Sequence, residues 1–294
     1  MFRGEKVRGG GGSGGRRAGR TRGGRAAAAA GFALAAAVAV SGCGSSSSPA
    51  ADPSANVAGA GSSSASSQAL SGTVTVLAAA SLNQTFTELG KQFEAAHPGV
   101  SVKFSFGGSD SLAAQITQGA PADVFAAAST TTMGTVTKAG DGVGAPVVFV
   151  KNVLEIAVAP GNPLKIATLN DLTGNGVKVA LCAPTVPCGA AAQKALKAAN
   201  VKLTPVTQEQ NVTSALTKVE LGSVDAALVY HTDVAGSGGK VAGVDFAAAQ
   251  SAVNTYPITV LKDAPNPTAA QAFEAYVLSG AGQDVLSKAG FLKP

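Results

Sequence analysis

The chain has 294 residues, a formal net charge of +5, three cysteines, two histidines and no tryptophan. The positive charge is confined to the start: seven arginines and Lys6 precede Ala26 against one acid, Glu5, and the rest holds fourteen lysines, sixteen acidic residues and no arginine. A nucleic-acid surface needs clustered Lys and Arg, so the body of the chain is excluded from that class.

Residues 1–43 read as a signal peptide. A basic segment is followed by an apolar run from Ala26 to Val40, shorter than the ~20 residues a membrane helix needs. The run ends in Val40-Ser41-Gly42-Cys43, which resembles the lipobox of bacterial lipoproteins, with Cys43 as the lipidated residue. The resemblance implies export and anchoring to the outer face of the cytoplasmic membrane; cleavage by an ordinary signal peptidase is the alternative. The Arg16-Arg17 pair leaves Sec and twin-arginine export both open. Residues 44–71 are mostly Ser, Ala, Gly and Pro. Such a segment buries too little apolar surface to offset its ordering entropy, and it reads as a flexible tether.

The folded part is expected from Gly72. Thr73 to Leu77 is β-branched and apolar, a buried strand. A helix is expected to open at Ser81, with Ser81 and Gln84 as a capping box and Leu82, Phe86, Leu89 and Phe93 forming one apolar face. Pro98-Gly99 stops it. A strand over Val100 to Phe106, a helix opening near Ser109 and a strand over Ala122 to Phe125 follow. Short turns between such elements imply a parallel sheet covered by helices. Two further strands are expected over Val147 to Val150 and Leu154 to Val158. A second series follows: a helix near Leu169 to Leu172, strand Val177 to Leu181, helix Gly189 to Ala199, helix Val212 to Leu221 and strand Ala226 to Tyr230. Thr255 to Leu261 reads as a strand, and Thr268 to Ser279 and Gln283 to Ala289 as terminal helices.

Cys182 and Cys188 flank a short segment containing Pro184 and Pro187. Export implies a non-reducing setting, so a disulfide closing this small loop is expected, with two free thiols as the alternative. Neither His97 nor His231 has ligand spacing to the cysteines, and no direct coordination of a metal cation is expected.

A small or hydroxyl residue recurs where a strand hands over to a helix: at Ser81, at Ser109, in Pro187-Cys188-Gly189 and in Asn211-Val212-Thr213. Each is an ordinary helix cap when taken alone. Together they offer several helix N-termini, whose free amides and partial positive charge can hold an anion without Lys or Arg.

Three blocks carry a resemblance to a known family. They are Val76-Leu77-Ala78-Ala79-Ala80-Ser81-Leu82, the stretch from Phe106-Gly107-Gly108-Ser109 to Gln115-Ile116, and Gly119-Ala120-Pro121-Ala122-Asp123-Val124-Phe125. Val186-Pro187-Cys188-Gly189, Leu228-Val229-Tyr230 with Asp233, and Tyr256-Pro257-Ile258 extend it. In this order they resemble the extracytoplasmic molybdate-binding proteins of ABC transporters, from about Gly72 to Lys293. The resemblance implies an α/β, two-lobed periplasmic-binding-protein-like fold of type II, each lobe a mostly parallel sheet covered by helices, with two crossing strands as hinge. Lobe 1 is expected over 72–150 and 236–294, and lobe 2 over 151–235. Molybdate, or tungstate, is the implied ligand, with no cofactor. Ser81 and Ser109 would each give a hydroxyl and an amide, Cys188 and Val212 an amide, and Tyr230 its phenol. A cysteine at 188 departs from the small residue usual there. The implied partners are ABC importer permease subunits, met by a monomer that closes around its ligand.

The chemistry of the ligand fits that donor set. Molybdate is a dianion with no proton to give, which suits a site made only of donors. Phosphate keeps a proton near neutral pH and asks for an acceptor, for which Asp110 is the nearest candidate. Sulfate differs from molybdate only in size, so a binder of sulfate or phosphate in the same fold is the alternative. Catalysis is not expected. Ser81 lacks the Gly-x-Ser-x-Gly elbow of a hydrolase, and His231 is not positioned to serve Tyr230's side of a strand.

Overall fold

The computed structural model describes residues 69–294. The expected signal peptide, Cys43 and all but the last three residues of the tether lie outside the described residues. Leu70 already packs against the core, two residues before the first strand. Among the described residues no helix is long and apolar enough to cross a membrane.

The first sheet contains β1 (Gly72–Ala79), β2 (Val100–Gly107), β3 (Val124–Ala126), β4 (Val147–Asn152) and β10 (Asn254–Val260), in the order β2-β1-β3-β10-β4. The second contains β5 (Leu154–Val158), β6 (Val179–Cys182), β7 (Thr207–Glu209), β8 (Ala226–Tyr230) and β9 (Ala242–Val244), in the order β7-β6-β8-β5-β9. The fold class is as expected, and both sheets are mixed. β1, β2 and β3 pair in parallel, as do β6, β7 and β8, while β10 and β5 run antiparallel to both neighbours. The antiparallel strands stand beside the passages between sheets. The chain leaves the first sheet at Val153, between β4 and β5, and returns at Val253, just before β10. Asn152 and Asn254 stand side by side in the β4–β10 ladder at these passages. The expected return at residue 236 therefore falls too early: β9 pairs with β5, which keeps residues 242–244 on the second sheet.

Helix α1 (Asn83–Ala96) follows a 3-10 turn over Ala80–Leu82. Its stripe of Leu82, Phe86, Leu89 and Phe93 is fully buried, each side chain contributing about 1.5–3 kcal/mol by leaving water. Phe86 and Phe93 both meet Phe273 edge-on, which joins α1 to α7 (Pro267–Leu278). The Ser81–Gln84 capping box does not form. The 3-10 turn shifts the α-helical N-cap to Leu82 and frees both side chains for contacts distant in sequence.

Helices α2 (Ser109–Thr117) and α3 (Thr130–Ala139) cover the other face of the first sheet. The sequence gives α3 little advertisement, because threonine and Gly134 are weak helix formers. It forms because Ser129 caps it, accepting from the Thr132 amide, and because Met133 and Val136 are buried. On the second sheet lie α4 (Pro187–Ala198), α5 (Val212–Glu220) and the short α6 (His231–Ala235); α8 (Gly280–Lys288) ends the chain near α1. The Val212–Leu221 expectation matches α5 within one residue.

Candidate functional site

Four helical N-termini meet at one small cavity between the sheets. Its lining includes Ala80 and Ser81 from the 3-10 turn, Gly108 and Ser109 at the start of α2, Pro187 and Cys188 at the start of α4, and Asn211 and Val212 at the start of α5. Tyr230, the last residue of β8, completes it. All five expected ligand residues, Ser81, Ser109, Cys188, Val212 and Tyr230, thus reach one space. They come from turns scattered over 150 residues of chain, assembled because each sheet directs its helix N-termini to the same edge.

The cavity volume is about 10 Å³. No charged side chain lines it. Amides at the first positions of a helix have no intrahelical partner, so Ser81, Ser109, Cys188 and Val212 can each present an N–H to the cavity. Pro187 occupies the first position of α4 and has no N–H, which leaves Cys188 as the first amide donor there.

The side chains are held from behind. Ser109 is buried, and its Oγ accepts from the Ala128 amide at 3.0 Å, which leaves its own proton free to be donated. Ser81 Oγ and the Tyr256 hydroxyl lie 2.9 Å apart. Tyr256 is fully buried and reaches Ser81 from β10, 175 residues away, a contact that no local sequence signal marks. The Tyr230 hydroxyl is buried with no hydrogen-bond partner among the described residues. Burial, and secondarily the nearby Tyr256 and Asp233, push its ionisation well above the usual phenol range, so it is a neutral donor. An unpartnered buried hydroxyl costs about 1–3 kcal/mol, a cost that an acceptor in the cavity would remove.

Cys182 and Cys188 form a disulfide, with Cα atoms 5.8 Å apart. The bridge ties the end of β6 to the first turn of α4, its sulfur three bonds from the Cys188 amide nitrogen. Gly189 is required beside it, because a Cβ there would lie 2.0 Å from the Ala183 carbonyl oxygen.

The lobes meet around the cavity. Asp110 Oδ2 accepts from Thr185 Oγ1 at 3.2 Å, and Gln84 Nε2 donates to the Gly236 carbonyl at 2.7 Å. Gly108 lies against the Gln210 carbonyl, where a Cβ would approach to 2.4 Å. Asp110 Oδ2 faces Thr185 and the residue does not line the cavity, while its Oδ1 is buried beside Gly108 without a partner among the described residues. His231 starts α6 and turns to Glu155, 3.0 Å away, so it does not serve Tyr230 as a base.

Asp233 sits behind Tyr230 and accepts from its amide at 2.9 Å. Burial raises its carboxyl to about 7, opposed by that amide. With a folded value above the ordinary 3.8, the folded state holds the proton more tightly than the unfolded chain. Its contribution to stability is therefore full at acid pH and is lost as pH rises from about 4 to about 7. The midpoint of thermal unfolding is expected to fall over this window. Asp233→Asn, which keeps an acceptor for the Tyr230 amide, should shrink the fall; thermal scans between pH 4.5 and 8 measure it. Glu155 and Glu274, whose carboxyls burial also raises, keep part of the slope in the variant.

The family described as bacterial extracellular solute-binding protein matches residues 74–292. The molybdate-binding protein ModA of Mycobacterium tuberculosis is 46% identical over 222 residues, covering 76% of this chain and 85% of that protein. The periplasmic molybdate-binding protein of Azotobacter vinelandii has a similar fold, with a TM-score of 0.66 at 21% identity over 75% of this chain and 99% of that one. So has the sulfate-binding protein SubI of Mycobacterium tuberculosis, with a TM-score of 0.62 at 21% identity over 74% and 86%.

Proposed function

The chain belongs to the bacterial extracellular solute-binding proteins, and from that premise we propose that it captures molybdate, and the nearly isosteric tungstate, and delivers the anion to an ABC importer. The observation that carries the reading is the convergence of four helix N-termini and two serine hydroxyls on a cavity without a charged side chain. Such a site offers donors and no acceptor carboxylate, and molybdate offers acceptors and no proton. The 46% identity to a molybdate-binding protein favours this anion over sulfate, which differs mainly in size.

Seven donors are proposed: amide and hydroxyl of Ser81 and of Ser109, the amides of Cys188 and Val212, and the Tyr230 phenol. Charge-assisted hydrogen bonds are worth about 1.5–3 kcal/mol each, enough for tight binding after desolvation and closure costs. Ser81 and Ser109 stand on the first sheet's side and the other three on the second's, so an anion bound to all five residues holds the lobes together. The closed form is then what the permease subunits recognise. The protein is read as a monomer, with Cys43 as its lipid anchor to the outer face of the cytoplasmic membrane. Residues 72–152 and 254–294 belong with lobe 1, and 153–253 with lobe 2.

Calorimetric titration with molybdate, tungstate, sulfate and phosphate tests the reading. Molybdate and tungstate are expected to bind and the other two not. Ser81→Ala removes one hydroxyl donor and should weaken binding by about 10- to 100-fold. Tight sulfate or phosphate binding would replace the solute while keeping the site. Molybdate binding untouched by Ser81→Ala would remove the site itself.

A further inference from the structure

A second cluster lies apart from the anion cavity, on the second sheet. Glu155 of β5, His231 at the start of α6 and Asp245 just after β9 bring one ligand atom each within 4.8 Å of one another. We propose that these three residues form a site for one divalent transition-metal cation of the zinc class.

The sheet builds the cluster. β5 runs between β8 and β9, and the register that pairs Ile156 with Val244 sets Asp245 across from Glu155. Two like charges facing each other across an antiparallel pair destabilise it. A cation between them reverses the sign of that term. Glu155 is only 7% exposed, although carboxylates are seldom buried without a partner for their charge. Its Oε2 meets His231 Nδ1 at 3.0 Å, while Oε1 has no hydrogen-bond partner among the described residues. The backbone leaves room for this oxygen: a Cβ on Gly243 would lie 1.9 Å from Oε1. An imidazole offsets one negative charge at most, and only when protonated, so the trio keeps net negative charge whenever both carboxylates are ionised.

The donor set selects the ion. One imidazole nitrogen and two carboxylate oxygens suit zinc and its neighbours better than magnesium or calcium, which prefer oxygen alone. Tetrahedral zinc bonds of about 2.0–2.2 Å place neighbouring donors about 3.4 Å apart, close to the present Nδ1–Oε2 separation. Three protein ligands leave the fourth position to water, on the solvent side, where the His231 side chain is 46% exposed.

Titration of the purified protein with zinc chloride, in the absence of oxyanion, is the test. One saturable site is expected, together with a rise in the thermal midpoint that a chelator reverses. His231→Gln and Asp245→Asn, both on the exposed side of the cluster, should each weaken zinc binding at least tenfold. His97→Gln, at the other histidine, should leave it unchanged, as should magnesium in competition. Molybdate titration of the same variants should match the unsubstituted protein, so failure here is distinguishable from failure of the anion reading. No saturable zinc binding, or binding unaltered in both cluster variants, overturns the proposal.

Discussion

Gly108→Ala is expected to raise the dissociation constant for molybdate at least 100-fold while leaving the thermal midpoint of the unliganded protein nearly unchanged. Gly108 has φ −62° and ψ 129°, a conformation that alanine adopts without strain. The conflict is across the cleft: the new Cβ would lie 2.4 Å from the Gln210 carbonyl oxygen and 2.8 Å from Asp110 Oδ1. The Asp110 side chain can swing away. The Gln210 carbonyl cannot, because it directly precedes Asn211, the cap of α5, and moving it moves the Val212 amide. The methyl group therefore holds the lobes apart and withdraws the donors of the second lobe. Losing two charge-assisted hydrogen bonds of about 1.5–3 kcal/mol each already exceeds the 100-fold expectation. The clash exists only when the lobes meet, so the fold of each lobe is not penalised. Calorimetry and thermal scans together decide the matter. An unchanged dissociation constant would mean that capture does not depend on this closed contact.

Opening the Cys182–Cys188 bridge has the second largest expected effect. Its sequence separation is 6, and closing a loop that short contributes about 2 kcal/mol by restricting the unfolded chain. For a folded part of this size the thermal midpoint should drop by about 4–8 °C. A further effect falls on binding, since the bridge fixes the turn that aims the Cys188 amide. About a tenfold loss of molybdate affinity is expected on reduction. The Cys182→Ala/Cys188→Ala pair should reproduce both losses and be insensitive to reductant, alanine being chosen because both positions are buried. Affinity that survives reduction would show that packing of α4 alone, through Gly189 against the Ala183 carbonyl, holds the amide in place.

Much of the fold was legible because its signals are local. The α1 stripe, the β-branched run of β1 and the Pro-Gly stop after His97 are each set by neighbours in sequence. So are the serine and glycine residues that open the helices. The elements that escaped reading lack such signals. α3 is rich in threonine and depends on a cap and a buried face. β9 has three residues, Ala-Gly-Val, and is a strand only because β5 offers it an open edge. Its presence is also why the return to the first sheet comes at Val253 and not at 236. The Ser81–Gln84 box was plausible by spacing, but Tyr256 and Gly236 compete for the two side chains from far along the chain.

The sequence by itself determined the chemistry available: a body without arginine, helix starts marked by Ser81, Ser109, Pro187-Cys188 and Asn211-Val212, and a cysteine pair close enough to join. These are properties of residue type and short spacing, which local sterics and hydrogen bonding translate directly into turns and caps. Only the tertiary structure decided that these turns share one cavity, that Tyr256 braces Ser81, that Gly108 touches Gln210, and that Glu155 faces Asp245 beside His231. Those contacts join residues tens to hundreds of positions apart. Their geometry is fixed by strand order and register, which arise from packing the whole sheet and are not written in any single segment.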